Sequence, residues 1–295
     1  MSQSTPDPSD ALIRTLRTPP LIAWPTVLIL LAAYALFITS SVLSVHGIVP
    51  LWAGALLNSI AVYMLFTPAH ESMHRSASSD LRINKAITMV STFIAVPFGT
   101  GNFLRTMHMH HHRFTNEEKD PDLALTSKLW LLPLWGFWPF LYLYTYARAP
   151  RAFPGISAVA TWRETLIGFG LIGVLFYLNP QLMLWLWLLP IYAGFLLMCL
   201  VFMVLPHYPH AVRESDNPCQ ASLMRLGSEW LLTPLLMHQN YHLMHHQFPT
   251  MPFYRYGQAW RAREAFYRAQ QVGIVPAFGL GLRAAPAAEE AARSR

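Results

Sequence analysis

Eight of the thirteen histidines fall into three short clusters: His70-x-x-x-His74, His108-x-x-His111-His112 and His242-x-x-His245-His246. Imidazole is the commonest protein metal ligand, and spacings of three and four put side chains on one face of a helix. Eight such ligands exceed what one four- or six-coordinate ion can use. The economical expectation is two ions, each held by about four imidazoles with a position left open for chemistry. Neutral imidazole binds Fe, Zn, Cu and Ni alike, so the histidines alone do not name the metal.

Two rival readings start from the first cluster. His70-Glu71-Ser72-Met73-His74 fits H-E-x-x-H, the pattern of a zinc metalloprotease with Glu71 as general base. That chemistry needs one zinc with three protein ligands and leaves the other two clusters unexplained. Glu71-x-x-His74 also matches one element of the carboxylate-bridged di-iron bundles. Those need two copies, and no other Glu in the chain has a His three residues on. A non-catalytic metal-binding membrane protein remains as the other alternative.

The elements that position the clusters are apolar. Hydrophobic residues make up 54% of the 295 and charged residues 12%, against about 25% charged in an ordinary soluble domain. No Asp, Glu, Lys or Arg occurs between Arg17 and Glu71, or between Glu164 and Arg213. A bilayer-spanning helix needs about 20 apolar residues, so each stretch can hold a helical hairpin. The expected fold is an all-α integral membrane protein with four transmembrane helices in two hairpins, near 21–44, 48–69, 165–178 and 182–205. Pro25 and Pro50 lie near helix starts, where a missing N–H costs little; Pro190 is expected to kink the fourth span.

Two more uncharged stretches, 86–102 and 129–147, are broken by Pro97, Gly99 and Gly101 and by Pro133, Gly136 and Pro139. They are read as re-entrant or interfacial segments, the second carrying the Trp and Tyr that gather at membrane surfaces. Both hairpin turns, 45–49 and 179–181, lack charge, so all 21 Lys and Arg fall on the other side. The positive-inside rule assigns that side to the cytoplasm. The net charge of +6 is therefore topology and headgroup contact, with no basic patch suited to nucleic acid. The expectation is an inner-membrane protein whose termini and histidine-rich cap are cytoplasmic, where all three clusters can meet.

Residues 1–20 are read as a cytoplasmic segment, with 1–18 a disordered lead-in and no signal peptide, 21–270 as one membrane domain, and 271–295 as a mobile tail. Cys199 and Cys219 are packing residues rather than a disulfide framework. His46, in an outer turn, and His110, on another helix face, stand apart from the metal set.

His70-x-x-x-His74, His108-x-x-His111-His112 and His242-x-x-His245-His246, with the flanking strings Arg113-Phe114-Thr115-Asn116 and Asn240 to Pro249, resemble the three histidine boxes of the membrane fatty acid desaturase family. Leu205-Pro206-His207-Tyr208-Pro209-His210 and Asp120-Pro121-Asp122 resemble its carotenoid hydroxylase and ketolase branch. The resemblance implies two histidine-bound irons that activate O2 and attack a C–H bond of a membrane lipid or carotenoid. It also implies a ninth ligand after the last hairpin: His207 first, His210 second, with His238 a ligand or a neighbour of one. Glu71, Asp120, Asp122 and Asn240, and also Asn116, are placed to hold the outer N–H of a ligand imidazole. Electrons must come from a separate ferredoxin-, rubredoxin- or cytochrome-type donor, since the chain has no dinucleotide, haem or iron–sulfur motif of its own. Arg105, Arg113 and Lys119 are candidates for its docking face. Fatty-acyl desaturation is the first expectation and lipid hydroxylation the second.

Overall fold

The computed structural model describes residues 8–96 and 101–279. Four helices are long and apolar enough to cross a membrane: α2 (Trp24–Val45), α3 (Leu51–Met73), α7 (Ala158–Leu178) and α8 (Pro180–His207). Between and around them lie α1 (Pro8–Leu16), α4 (Leu81–Phe93), α5 (Gly101–Phe114), α6 (Trp138–Arg148), α9 (Glu229–Leu235), α10 (His242–Gln247) and α11 (Tyr256–Ala269). The all-α membrane fold expected from the composition is the fold observed. Among the described residues the strands are one short parallel pair, β1 (Leu223–Leu226) with β2 (Gly273–Pro276).

α3 and α8 form the buried centre of the bundle, while α2 and α7 face outward with most of their apolar surface. Close approach of the central pair depends on Gly194, where a Cβ would sit 2.5 Å from the Val62 side chain and 3.2 Å from the Ser59 carbonyl. Small residues that let backbones approach are the usual basis of helix association in lipid. α7 begins seven residues earlier than the charge-free rule predicts. Ser157 caps it by accepting from the Ala160 N–H at 3.3 Å, and Arg163 and Glu164 are tolerated because they sit near its end and pair with each other at 3.6 Å.

The fourth span carries its prolines differently from a simple kink. Two π-helical turns, Leu184–Leu188 and Cys199–Val204, precede Pro190 and Pro206. A proline leaves the carbonyl four residues back without its helical donor. For Pro190 that is Leu186, whose oxygen accepts instead from Asn58 Nδ2 of α3 at 2.8 Å. Asn58 also bonds Ser40 and Ser41 of α2, so one buried amide joins three spans.

Among the described residues neither expected interfacial segment is one of the spans; residues 97–100 of the first lie outside the described residues. Asp80 caps α4 by accepting from Arg82 N at 2.7 Å, and the 129–147 stretch is broken into short turns and α6.

Both ends of the chain depart from expectation. Residues 8–16 are helical, not a disordered lead-in: Ile13 and Leu16 are buried against Trp260 and Tyr267 of α11 and the neighbouring cap. Arg255 Nη1 donates to the Leu16 and Thr18 carbonyls at 2.9 and 2.8 Å, and Arg263 pairs with Asp10. Residues 271–279, expected to open a mobile tail, are packed: Val272 is buried and Gly273–Pro276 pairs with β1. Arg225 locks that pairing by donating to the carbonyls of Pro276 and Gly279 at 3.1 and 2.6 Å. The rest of the tail, 280–295, lies outside the described residues, as do residues 1–7.

Candidate metal centre

All three histidine clusters converge at one end of the bundle. His70 lies in the last turn of α3 and His74 caps it. His108, His111 and His112 share α5, His207 ends α8, and His242, His245 and His246 lie on the short α10. They form two adjoining sets. In the first, ligand atoms of His70, His74, His108, His112 and His245 all lie within 4.8 Å of one another. In the second, the same holds for His111, His207 and His246. His242 joins them, its Nε2 3.0 Å from His207 Nε2 and 3.1 Å from His246 Nε2. The sets meet where the rings of His112 and His246 stack at 4.2 Å.

The outer nitrogens show what these rings are arranged for. His207 Nδ1 faces the Ala221 carbonyl at 3.2 Å, His242 Nδ1 faces Gln239 Oε1 at 2.5 Å, and His111 Nδ1 faces Asp120 Oδ1 at 2.9 Å. Each partner is an acceptor, so each Nδ1 carries the proton and each Nε2 offers a lone pair inward. The His207 and His242 lone pairs then oppose each other at 3.0 Å, a repulsive contact unless a cation lies beside both. Two imidazole nitrogens each about 2.1 Å from one ion, at a right angle, stand about 3 Å apart. The pairs His74–His108 at 2.8 Å and His112–His245 at 2.9 Å repeat that spacing in the first set. Buried His70 has no hydrogen-bond partner on either nitrogen among the described residues. The donors fit two metal ions, five imidazoles around one and four around the other.

Electrostatics support a cation. Burial, and then the neighbouring imidazoles, push His74, His108 and His245 well below the ordinary histidine range, so they stay neutral and available as ligands. His111 goes the other way. Burial alone would lower it, but Asp120 and Asp122 raise it to about 9. The carboxylates that favour a proton on that ring would equally favour a bound metal.

Among the expected supporting residues, Asp120 and Asp122 sit at His111, the latter's Oδ2 3.5 Å from Nδ1 while its Oδ1 accepts from Trp138 Nε1 at 3.0 Å. Glu71 is fully buried. It accepts from Ser76 Oγ at 2.7 Å, Phe253 N at 3.0 Å and Tyr256 OH at 3.4 Å. Tyr256 OH also meets His245 Nδ1 at 2.9 Å. Asn116 acts on the scaffold, its Nδ2 donating to the Val212 and Ala221 carbonyls. Asn240 is a correction: its Nδ2 donates to Thr233 Oγ1 at 3.2 Å and reaches no ligand ring. The adjacent Gln239 does that work.

His210 and His238 fall outside both sets. His210 Nδ1 bonds Asn116 Oδ1 at 2.7 Å, and His238 meets the Phe253 ring edge-on at 5.0 Å. His110 packs between Phe114 and Phe153, away from the centre, and His46 is exposed. Gln239, Tyr256 and the Ala221 carbonyl were not foreseen. Gln239 could have been, since it sits three residues before His242; Tyr256 and Ala221 reach the site only through the fold.

A model of the fatty acid desaturase family matches residues 46–277. That covers most of the chain and all three histidine clusters, and this protein belongs to the fatty acid desaturase family, a family of oxidoreductases. Comparison with curated proteins gave no match.

Proposed function

We propose that this protein is an O2-dependent di-iron oxidoreductase that cleaves a C–H bond of a membrane lipid, with fatty-acyl desaturation as its reaction. The observation that carries the reading is the pair of adjoining all-imidazole donor sets at the end of a four-span bundle in a chain of this family. Irons bound there would supply O2 activation and the oxidising power for hydrogen removal. His70, His74, His108, His112 and His245 would hold one ion, and His111, His207, His242 and His246 the other. Asp120, Gln239 and the Ala221 carbonyl keep the Nδ1 protons of His111, His242 and His207 outward, so the Nε2 atoms of these three rings enter the centre ready to bind.

A small apolar pocket lies beside the centre, lined by Val62, Phe66, Ala69, Met73, Trp138 and Met198 among others. Phe66 places its ring 5.9 Å from that of His70, so this apolar lining lies close to the first set. Desaturation balances as –CH2–CH2– plus O2, two electrons and two protons giving –CH=CH– and two waters. The electrons come from a separate ferredoxin-, rubredoxin- or cytochrome-type protein. Arg113 and Lys119, exposed around the Phe114 ring at 5.2 and 5.3 Å, form a basic patch for such a donor on the face read as cytoplasmic.

Lipid or carotenoid hydroxylation is the second reading. It is favoured by the segment Asp120-Pro121-Asp122, which supports His111 and resembles that branch. The protease reading is disfavoured, because both Glu71 oxygens already accept from Ser76, the Phe253 main chain and Tyr256.

The test is metal analysis of the purified protein, followed by lipid and pigment profiles of a host expressing it with a reductant. Two irons per chain and new double bonds are expected. One zinc, with activity surviving loss of His108 and His242, would overturn the oxidoreductase reading; new hydroxyl groups without double bonds would favour the second.

A further inference from the structure

The chain between β1 and the third histidine cluster holds a short, almost wholly apolar run, Trp230-Leu231-Leu232-Thr233-Pro234-Leu235-Leu236-Met237. It is far shorter than the roughly 20 residues needed to cross a bilayer, so charge counting leaves it with the cap. Leu232 and Leu236 turn inward, into the buried cluster that holds Val62, Tyr63 and Met198 of the central spans. Trp230 and Leu235 face outward, 82% and 59% exposed. The one charged side chain of the segment, Glu229, folds back to accept from the Gly227 N–H at 2.7 Å.

One bond fixes the depth of this segment. Tyr63 OH of α3 donates to the Leu235 carbonyl at 2.9 Å. Tyr63 lies ten residues before the end of α3 at Met73. At 1.5 Å per residue that is about 15 Å along the axis, half the thickness of a hydrocarbon core. The antiparallel neighbour α2 gives the same level independently: Ala23 N donates to the Ala77 carbonyl, and Ser40 bonds Asn58 further along. That register sets Tyr63 level with the turn between Leu31 and Ile38, whose side chains are exposed on the lipid side of α2. α9 thus reaches down beside the spans to a level where its neighbours meet lipid.

The backbone is completed to suit such a place. The last four carbonyls of a helix ordinarily lack a helical partner and take water. Here Leu232 accepts from Leu236 N at 2.8 Å, Thr233 from His238 N at 2.7 Å, Pro234 from Met237 N at 3.3 Å, and Leu235 from Tyr63. The reversal that achieves this holds Met237 and His238 at left-handed φ of 47° and 64°, with no glycine to ease it. Backbone polar groups in hydrocarbon must be satisfied by the protein itself, a need that a loop in water does not have.

We propose that residues 229–238 form a re-entrant wedge, inserted among lipid acyl chains in the leaflet nearer the histidines. Trp230 stands nearer the headgroups, where tryptophan gathers, and Leu235 in hydrocarbon. The returning limb ends at Gln239, whose Oε1 accepts from His242 Nδ1, so the wedge seats the third cluster against α3 from the membrane side.

The test is spin labelling of the full-length protein in phosphatidylcholine nanodiscs. The single variants Leu235→Cys, Trp230→Cys, Leu171→Cys and Arg261→Cys are made in a Cys219→Ser background; Cys199 is buried and escapes the label. Leu171 is exposed on the α7 span and Arg261 on α11 of the cap. Collision with oxygen, which partitions into lipid, is compared with collision with a water-soluble nickel chelate. The label at Leu235 should match that at Leu171, rich in oxygen and poor in nickel, and the label at Trp230 should fall between Leu171 and Arg261. Leu231→Cys, one turn away on the same face, repeats the measurement should Leu235→Cys fail to fold. A nickel response at these positions equal to that of Arg261 would overturn the wedge. Low collision with both reagents would overturn it too, since protein, such as a second copy of the chain, would then cover the face. Adding Tyr63→Phe should shift the Leu235 label toward nickel and leave Leu171 unchanged; no shift would overturn the anchoring by Tyr63.

Discussion

Asp120→Asn should empty one metal site and spare the other. Asp120 Oδ1 accepts from His111 Nδ1 at 2.9 Å and from the Asp122 N–H at 2.9 Å, and Oδ2 accepts from the Asn116 N–H at 3.0 Å. An amide has one acceptor oxygen, so in either orientation its NH2 meets a donor. The ring of His111 thus loses a charged acceptor, or the loop carrying Asn116 loses its anchor. A hydrogen bond to a charged group is worth about 1.5–3 kcal/mol. That is roughly ten- to hundred-fold in affinity, the range typical of losing a group that orients a ligand. His111 belongs only to the set with His207, His242 and His246, so the five-imidazole site should be untouched. Stripped protein would be titrated with cobalt against a chelator of known affinity, with helix content checked by circular dichroism. Wild type should take up two ions of similar strength, and the variant one strong and one weak. Two unchanged ions, or joint loss of both from a folded protein, would refute the division into two sets.

Gln239→Leu should weaken the same site by about ten-fold, whereas Asn240→Leu should leave metal content unchanged; equal effects would return the orienting role to Asn240. Burial raises the Glu214 carboxyl to about 7 from its ordinary 4.5, so the fold favours its protonated form. Stability from this group is present at low pH and declines as pH rises between 4.5 and about 7. Glu214→Gln should therefore melt like wild type at about pH 4 and above it at about pH 8; parallel melting curves across that range would refute this. Asn58→Leu removes bonds to Ser40, Ser41 and the Leu186 carbonyl. At about 0.6 kcal/mol per intramembrane bond, the loss is about 2 kcal/mol, read as a lower melting temperature in detergent; no shift would show that Asn58 does not hold the spans together.

The ligands were legible because spacing and topology agree. Cluster spacing marks helix faces, charge-free stretches mark hairpins, and together they bring residues more than 130 positions apart, such as His112 and His245, to one face. What escaped the sequence is what depends on the fold of the cap. Tyr256 reaches His245 only because α11 turns back under α10, and a main-chain carbonyl such as Ala221 has no sequence signature at all. The Gly, Ala, Pro and Arg of 271–295 make that whole stretch read as mobile, yet Arg225 donates to three carbonyls within it, those of Pro276, Ala277 and Gly279, an anchorage that composition does not record. The start of α7 was missed because two charges near a helix end were treated as a boundary.

The division of labour at Glu71 explains why an H-E-x-x-H sequence stands here without a protease. In a zinc protease the glutamate must face a metal-bound water. Here its oxygens, one of them 3.9 Å from His70 Nδ1, are taken up by the cap, accepting from the Phe253 main chain and from Tyr256. Phe253 lies just before α11, and Arg255, two residues on, clasps the end of α1. One buried carboxylate thus ties α3, which carries His70 and His74, to the segment that positions His245. Removing it would leave several donors unsatisfied at once and loosen the register between two clusters of the same five-imidazole set. That set draws its ligands from three separate elements, α3, α5 and α10, none of which is adjacent in sequence to another. A ligand set assembled from such distant segments needs a fixed joint between them, and Glu71 is the residue buried at that joint.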